Sequence, residues 1–378
     1  MARISTSVKK KDSSELRRLA KIGSKESPCI TIQKTQGEKT LGLVHKMGLS
    51  NRELRIQCED LVLHVPLVRR PNKEEKAVLK AQLPNFTLET RTFAKKSPPN
   101  KTLRHILENQ LQPSLLPKLP RALDIIGDIA VIEIPPELKQ KETLIGKAIL
   151  ESHQKVKTVL AKAGAVTGTY RLRELIWIAG QQKTTTIHKE YGCTYVVDVA
   201  KAYFSPRLSQ EHKRIASLTQ KGETIVDLFA GVGPFSVLIS KSNPDVKIYA
   251  IDINPEAIKL LETNVRLNRV ENRVFPTVGD ATRIVEEKLY DIADRVIMNL
   301  PESAMEFVGA ACGAIKSTGG IVHFYGFVRQ SETLEDMQKR FREKVEKTGR
   351  RVDRYLCAKT VRETAPHECQ VVLDARIL

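Results

Sequence analysis

The sequence predicts an α/β protein whose largest part is a doubly wound, Rossmann-like parallel sheet. Three observations predict it. Ile225 to Phe229 is a short apolar run that ends at a loop, the pattern of a parallel strand buried on both faces. Gly231 and Gly233 then permit a tight turn and close backbone approach to a ligand, and Pro234 suits the first turn of a helix continued by Phe235 to Ile239. About twenty residues on, a second strand, Lys247 to Asp252, ends in an acid placed to accept hydrogen bonds from a ribose diol. A strand, a glycine turn, a helix and a strand-end acid make a nucleoside site at the switch point of an open sheet.

Which nucleoside is set by the turn. It reads Gly231-Val-Gly233-Pro-Phe235 and lacks the third glycine that lets a helix pack close beside a pyrophosphate. Asp227 lies just before it, where a carboxylate repels a pyrophosphate and attracts a ligand carrying an amine or a sulfonium. S-adenosylmethionine is expected in preference to NAD.

The 378 residues suffice for two or three domains, and the formal net charge of +18 points to a polyanionic partner, nucleic acid first. The six cysteines have no C-x-x-C spacing, which argues against a zinc or redox motif and for reduced thiols. No metal site is expected. With no apolar run of membrane-spanning length and no signal peptide, a cytoplasmic location is expected.

Residues 1–27 hold eight Lys or Arg against three acids and read as a basic flexible tail. Residues 28–72 read as a small α+β domain: a strand at Cys29 to Gln33, a helix at Gly37 to Met47, and strands at Leu54 to Cys58 and Leu61 to Val65. Residues 73–100, closing on Ser97-Pro-Pro-Asn100, read as a linker. Residues 101–198 read as a second α+β domain. It has a helix at Leu103 to Gln110, a hairpin bent at Gly127 and a long helix over Lys139 to Ala163. Its basic side chains Arg171, Arg173, Lys183, His188 and Lys189, with Tyr170 and Trp177 nearby, suit phosphate contact with base stacking. A charged strand edge that blocks aggregation is the plainer alternative.

Residues 199–378 carry the nucleoside site. Ser209 is placed to cap a helix whose first turn holds Glu211 and His212. Glu211 either answers the helix dipole or, with its pKa raised by burial, serves as a general base. Strands follow at Val274 to Val278 and Arg295 to Met298, each ending in a polar group, Asp280 and Asn299. Asp280 can accept from an exocyclic amine. Asn299-Leu-Pro301 falls where the donor's methyl group should lie, and the asparagine amide can both accept and donate. That arrangement suits methylation of a nucleobase nitrogen.

Together these residues resemble the archaeal and eukaryotic tRNA (guanine-37-N1)-methyltransferase family over roughly residues 29–378. The resemblance rests on Arg171 in Tyr170-Arg-Leu-Arg-Glu-Leu175, on Tyr203-Phe-Ser-Pro-Arg-Leu-Ser-Gln-Glu211, on Asp227 to Phe235 and on Asn299-Leu-Pro301. It implies a class I methyltransferase domain, an RNA-binding middle domain and a small first domain, with tRNA as the substrate; a monomer with no protein partner is expected. By resemblance, Glu211 takes the guanine N1 proton and Arg171 supports charge on O6. Asn299 orients the base edge, Pro301 shapes the wall, and Tyr203 packs beside base and donor. Asp227, Gly231 and Gly233 form the donor turn, Asp252 and Ile253 meet the ribose, and Asp280 and Ala281 meet the adenine. His212 holds a donor-contacting position that the family usually fills with a basic residue. The target guanosine must be turned out of its loop. One archaeal subtype with an Asn-Pro-Pro motif also methylates a tricyclic guanosine derivative; Asn-Leu-Pro here implies the single activity.

Two other classes compete. A guanine-N2 RNA methyltransferase also uses an Asn-Pro turn, whereas a cytosine-C5 enzyme needs a strand-end Pro-Cys that is missing here. A non-catalytic RNA-binding protein with a vestigial donor pocket is the other, and the intact Glu211, Arg171 and Asn299 argue against it.

Overall fold

The computed structural model describes residues 23–83, 85–96, 102–164, 168, 170–329 and 332–378. Most of the expected basic tail, residues 1–22, lies outside the described residues, as do Ser97 to Lys101. The chain divides into two units, residues 1–100 and 101–378.

The first unit is one four-stranded antiparallel sheet with two helices. Its elements are β1 (Ser24–Gln33), α1 (Gly37–Lys46), β2 (Gln57–Glu59), β3 (Val62–Pro66), α2 (Lys73–Gln82) and β4 (Thr87–Ala94), with strand order β2-β3-β1-β4. The stretch read as a linker is therefore structured. Asn72 and Glu75 form a reciprocal capping box, each side chain accepting the other's backbone N–H at 2.8 Å, and this starts α2. Thr87 to Ala94 pairs with Ser24 to Thr31 of β1, so it forms an edge of the sheet. Leu54 is buried but makes only a bridge to Lys95, and the strand expected at Leu54 to Cys58 begins at Gln57.

The second unit opens with α3 (Leu103–Leu107), shorter than the helix expected to Gln110, then β5 (Leu123–Ile126) and β6 (Ile129–Ile132), the hairpin turned at Gly127. The helix expected over Lys139 to Ala163 is two elements, α4 (Glu142–Ser152) and β7 (Thr158–Lys162). Thr158 to Ala161 are all buried between parallel β6 and antiparallel β8 (Leu175–Gly180). Such a continuous apolar run fits a central strand as well as a buried helix, and periodicity alone does not separate them.

A hairpin, β9 (Thr185–Glu190) and β10 (Cys193–Asp198), leads into the main sheet. The elements that follow are α5 (Ser209–Leu218), β11 (Thr224–Asp227), α6 (Pro234–Ser242), β12 (Lys247–Asp252), α7 (Pro255–Asn268), β13 (Val274–Val278), α8 (Ala281–Lys288), β14 (Arg295–Met298), α9 (Val308–Ala314), β15 (Gly320–Arg329), α10 (Leu334–Glu346), β16 (Val352–Ala365) and β17 (Glu368–Ile377). The order is β13-β12-β11-β14-β15-β17-β16, with the first five parallel and the last two added antiparallel. The order reverses at β11, so a crevice opens above the carboxyl ends of β11 and β14. One face buries α5, α6 and α7, and the other buries α8, α9 and α10.

The boundary expected between residues 198 and 199 falls inside one core. Cys193, Tyr195 and Val197 of β10 are buried with α6 and α7. Two asparagines of α7 stand in for a neighbouring strand: Asn264 accepts the Val196 N–H at 2.7 Å and Asn268 the Thr194 N–H at 2.9 Å. Asn264 Nδ2 also donates to the carbonyls of Val196 and Val232. Replacing Asn264 by alanine strands these buried groups, and chemical denaturation should read a loss of about 2–3 kcal/mol.

Candidate active site

The crevice above β11 and β14 is a cavity of about 470 Å³, lined from both the loop before β8 and the main sheet. It takes in Arg171, Tyr203, His212, Gly231, Asp252, Ile253, Asp280, Ala281, Asn299 and Pro301, ten of the residues singled out in the sequence. Glu211, Asp227 and Gly233 are not in its lining.

The turn after β11 shapes one half. Gly231 and Gly233 both sit at positive φ, +56° and +84°. A side chain on Gly233 would meet Leu261 Cδ1 at 2.2 Å, so the second glycine is required for packing against α7. Gly231 donates its N–H to Asp252 Oδ2 at 2.7 Å, and Asn254 donates to Oδ1 at 2.9 Å. Asp252 is thus fixed by two amides at the cavity wall. Burial raises its pKa, and these two hydrogen bonds oppose the rise. Asp280 caps α8 by accepting the Arg283 N–H at 3.0 Å, which fixes its carboxylate at the next strand end.

Asp227 is placed differently from the sequence expectation. It is 1% exposed and stands behind the turn, where Ser236 Oγ donates to Oδ2 at 2.7 Å and Oδ1 makes no hydrogen bond of good geometry among the described residues. Burial pushes its pKa up to about 7. A carboxyl whose folded pKa is raised stabilises the fold below its unfolded value, and that contribution is lost as pH rises through 7. Asp227→Asn should therefore gain stability on the parent by on the order of 3 kcal/mol between pH 5 and pH 8, read by denaturation at each pH.

The other half of the cavity is polar and cationic. Arg171, itself at φ +53°, pairs its guanidinium with Glu302 at 2.7 Å. Arg362 Nε donates to Gln370 Oε1 at 2.9 Å, which turns Gln370 Nε2 toward Asn299 Oδ1 at 3.5 Å. A guanidinium only donates, so this chain fixes which way both amides face. Arg362 also reaches Ser205 Oγ at 3.2 Å. Arg362, Gln370 and Phe327 line the cavity and were not singled out in the sequence. The one available signal was their place in the final strands, and which strand they neighbour is not written locally.

Helix α5 brings His212 to the cavity wall and holds Glu211 outside the lining. Ser209 is its first residue and makes no capping bond; a 3₁₀ turn from Pro206 precedes it. His212 is buried, with Nδ1 bonded to Glu190 Oε1 at 2.8 Å and its ring edge-on to Phe235. Burial pushes Glu190 up, but the imidazoles of His188 and His212 outweigh it and bring the carboxyl to about 2. Glu211 is 4% exposed and holds Lys359, Arg214 and the Tyr325 hydroxyl. The expectation that burial raises its pKa fails for a physical reason. Burial does act upward, but Lys359 and Arg214 outweigh it and lower the pKa below the ordinary glutamate range.

The family model described as "TRM5/TYW2 methyltransferase domain" matches residues 186–353, and "TYW2 N-terminal domain" matches residues 103–184. The tRNA (guanine(37)-N(1))-methyltransferase Trm5b of Pyrococcus abyssi is 46% identical over 259 residues, 68% of this chain and 76% of that protein. Its crystal structure superposes with a TM-score of 0.67 at 37% identity, over 93% of this chain and 99% of that one. A complex of aTrm5 and tRNALeu matches with a TM-score of 0.65 at 33% identity, over 93% of this chain and 99% of that one. A tRNA(Phe) (4-demethylwyosine(37)-C(7)) aminocarboxypropyltransferase of Methanocaldococcus jannaschii is 34% identical over 251 residues, 66% of this chain and 96% of that protein.

Proposed function

The chain belongs to the TRM5/TYW2 methyltransferase family, and from that premise we propose that it methylates N1 of the guanosine at position 37 of tRNA. It is a methyltransferase with an α/β Rossmann-like catalytic fold, and its cofactor is S-adenosylmethionine. The single observation that carries the substrate reading is the division of one cavity. A turn-and-carboxylate half with Gly231, Asp252 and Asp280 adjoins an amide-and-guanidinium half with Asn299, Gln370 and Arg171.

The donor fits the first half by chemistry. Asp252 keeps lone pairs for a ribose diol after taking two amide hydrogens. Asp280 keeps one oxygen beyond its cap for an exocyclic amine, and Ala281 and Ile253 are small or apolar enough to flank a purine. The bound sulfonium supplies an electrophilic methyl group.

The second half holds the base. Asn299, its amide set by Gln370, meets the guanine edge, and Pro301 forms the adjoining wall. Arg171 stabilises charge that gathers on O6. For that, it exchanges the Glu302 carboxylate for the substrate oxygen. Glu211 accepts the N1 proton. Its lowered pKa suits this role, because the carboxylate is already ionised at neutral pH and the N1 proton becomes strongly acidic as the methyl bond forms.

The net charge of +18 and the exposed Trp177, Tyr170 and Tyr191 around the middle-domain strands support a tRNA substrate. The test is transfer to tRNA transcripts that differ only at position 37. Guanosine there should be methylated and adenosine should not. Equal transfer to both transcripts would end the position-37 reading.

A further inference from the structure

Three rows of side chains run across β15, β17 and β16 on the face that packs α5. They are Phe327–Gln370–Arg362, Tyr325–Val372–Lys359 and His323–Asp374–Cys357. Cross-strand partners share a face, and successive rows lie about 7 Å apart. The first row lines the cavity. The second supplies two of the partners of Glu211, so its carboxylate stands one row back from the base site.

The two oxygens of Glu211 are held unequally. Oε2 takes Arg214 Nε at 2.8 Å and the Tyr325 hydroxyl at 3.0 Å. Arg214 is itself clamped by Asp374, which accepts from His323 Nδ1 at 2.6 Å, and His323 Nε2 accepts from Arg295 Nη1 at 2.7 Å. Because the Arg295 guanidinium can only donate, His323 carries its one proton on Nδ1 and is neutral. Arg295 ends the chain in two bonds to Glu223. Oε2 is therefore anchored through a buried relay that crosses the sheet. Oε1 is bonded instead to Lys359 Nζ at 2.8 Å, and that side chain is 43% exposed.

We propose that Lys359 is a positioning residue that occupies Oε1 of Glu211 in the free enzyme and yields that place to guanine N1–H, which makes Oε1 the proton-accepting atom. This rests on the reading of Glu211 as the base. In the step, the N1–H bond breaks toward Oε1 and its electron pair forms the N1–CH3 bond. The pair of the breaking S–CH3 bond stays on sulfur as a neutral thioether. Arg214 cannot yield in the same way, because Asp374 and Glu211 hold it from two sides. Lys359 can, because its side chain is partly exposed to solvent.

The groups facing Glu211 are Arg214 on its own helix, Tyr325 on β15, Asp374 on β17, and Lys359 and Cys357 on β16. Lys359 is the foremost cation lowering its pKa. The experiment is the pH profile of kcat/KM for tRNA methylation, which reports the free enzyme's groups. In Lys359→Met the acid limb should move up by about one pH unit, and in Lys359→Arg it should stay where the parent has it. An unmoved limb in Lys359→Met overturns the proposal. So does a movement common to both variants, or a pH-independent loss as large as that of Glu211→Gln. The base reading fails separately, if Glu211→Gln keeps its activity.

Discussion

Replacing Glu211 by glutamine lowers the single-turnover rate of methyl transfer by about 10²-fold or more and leaves donor affinity within a few-fold. Guanine N1 is protonated at neutral pH, so its lone pair is released only as a base takes the proton. Glutamine matches the shape of glutamate but cannot accept that proton. The donor half of the cavity should not feel the change, because Glu211 lies outside the lining and its partners are Arg214, Tyr325 and Lys359. Arg214 keeps Asp374 in the variant, which preserves the fold locally. Equal losses of donor affinity and rate would make Glu211 a structural carboxylate. Its lowered pKa also sets a pH sign. The stability it contributes at neutral pH is lost as pH falls through the folded value, below the ordinary 4.5.

Asp252→Ala acts on the other half and should weaken donor binding by about 10²-fold, measured by titration calorimetry with S-adenosylmethionine. The carboxylate does two things. It accepts the amides of Gly231 and Asn254, which fixes the glycine turn, and it presents its remaining lone pairs to the ribose. Alanine removes both at once. Asp252→Asn separates them, since an amide oxygen can still take one backbone N–H. It should lose less affinity than the alanine variant. Unchanged donor affinity in Asp252→Ala would place the nucleoside elsewhere in the cavity.

The donor half was legible in the sequence because its parts are local. Gly231, Asp252 and Asp280 each lie at or just beyond the end of a strand, as Asn299 does in the adjoining half, and in a parallel sheet every such end faces the same crevice. The base half was less legible. Gln370, Arg362 and Lys359 come from the last hairpin, and they reach the site because β17 adds antiparallel beside β15. Nothing within those residues specifies that neighbour. Asp227 shows a different limit. Its position in the motif was read correctly, but electrostatic attraction to a cation presumes exposure, and the side chain is turned behind the strand end. The stretch Thr158 to Ala161 differs from the helix its pattern predicts because a buried central strand carries no alternation. The capping box at Asn72 and Glu75 was present in the sequence and would have marked α2.

The proposed activity is tested most directly by the group that reaches the RNA and the atom that receives it. A sulfonium donor carries both a methyl and an aminocarboxypropyl group, and similar chains are named for transferring each. The protein would be incubated with unmodified tRNA transcript and S-adenosylmethionine labelled separately in its methyl and its carboxyl carbon. Nuclease digestion and chromatography then identify the product nucleoside and its position. Methyl label in 1-methylguanosine at position 37, with no carboxyl label in the RNA, is the predicted result. Carboxyl label in the RNA, or methyl label in N2-methylguanosine or at another position, would contradict it.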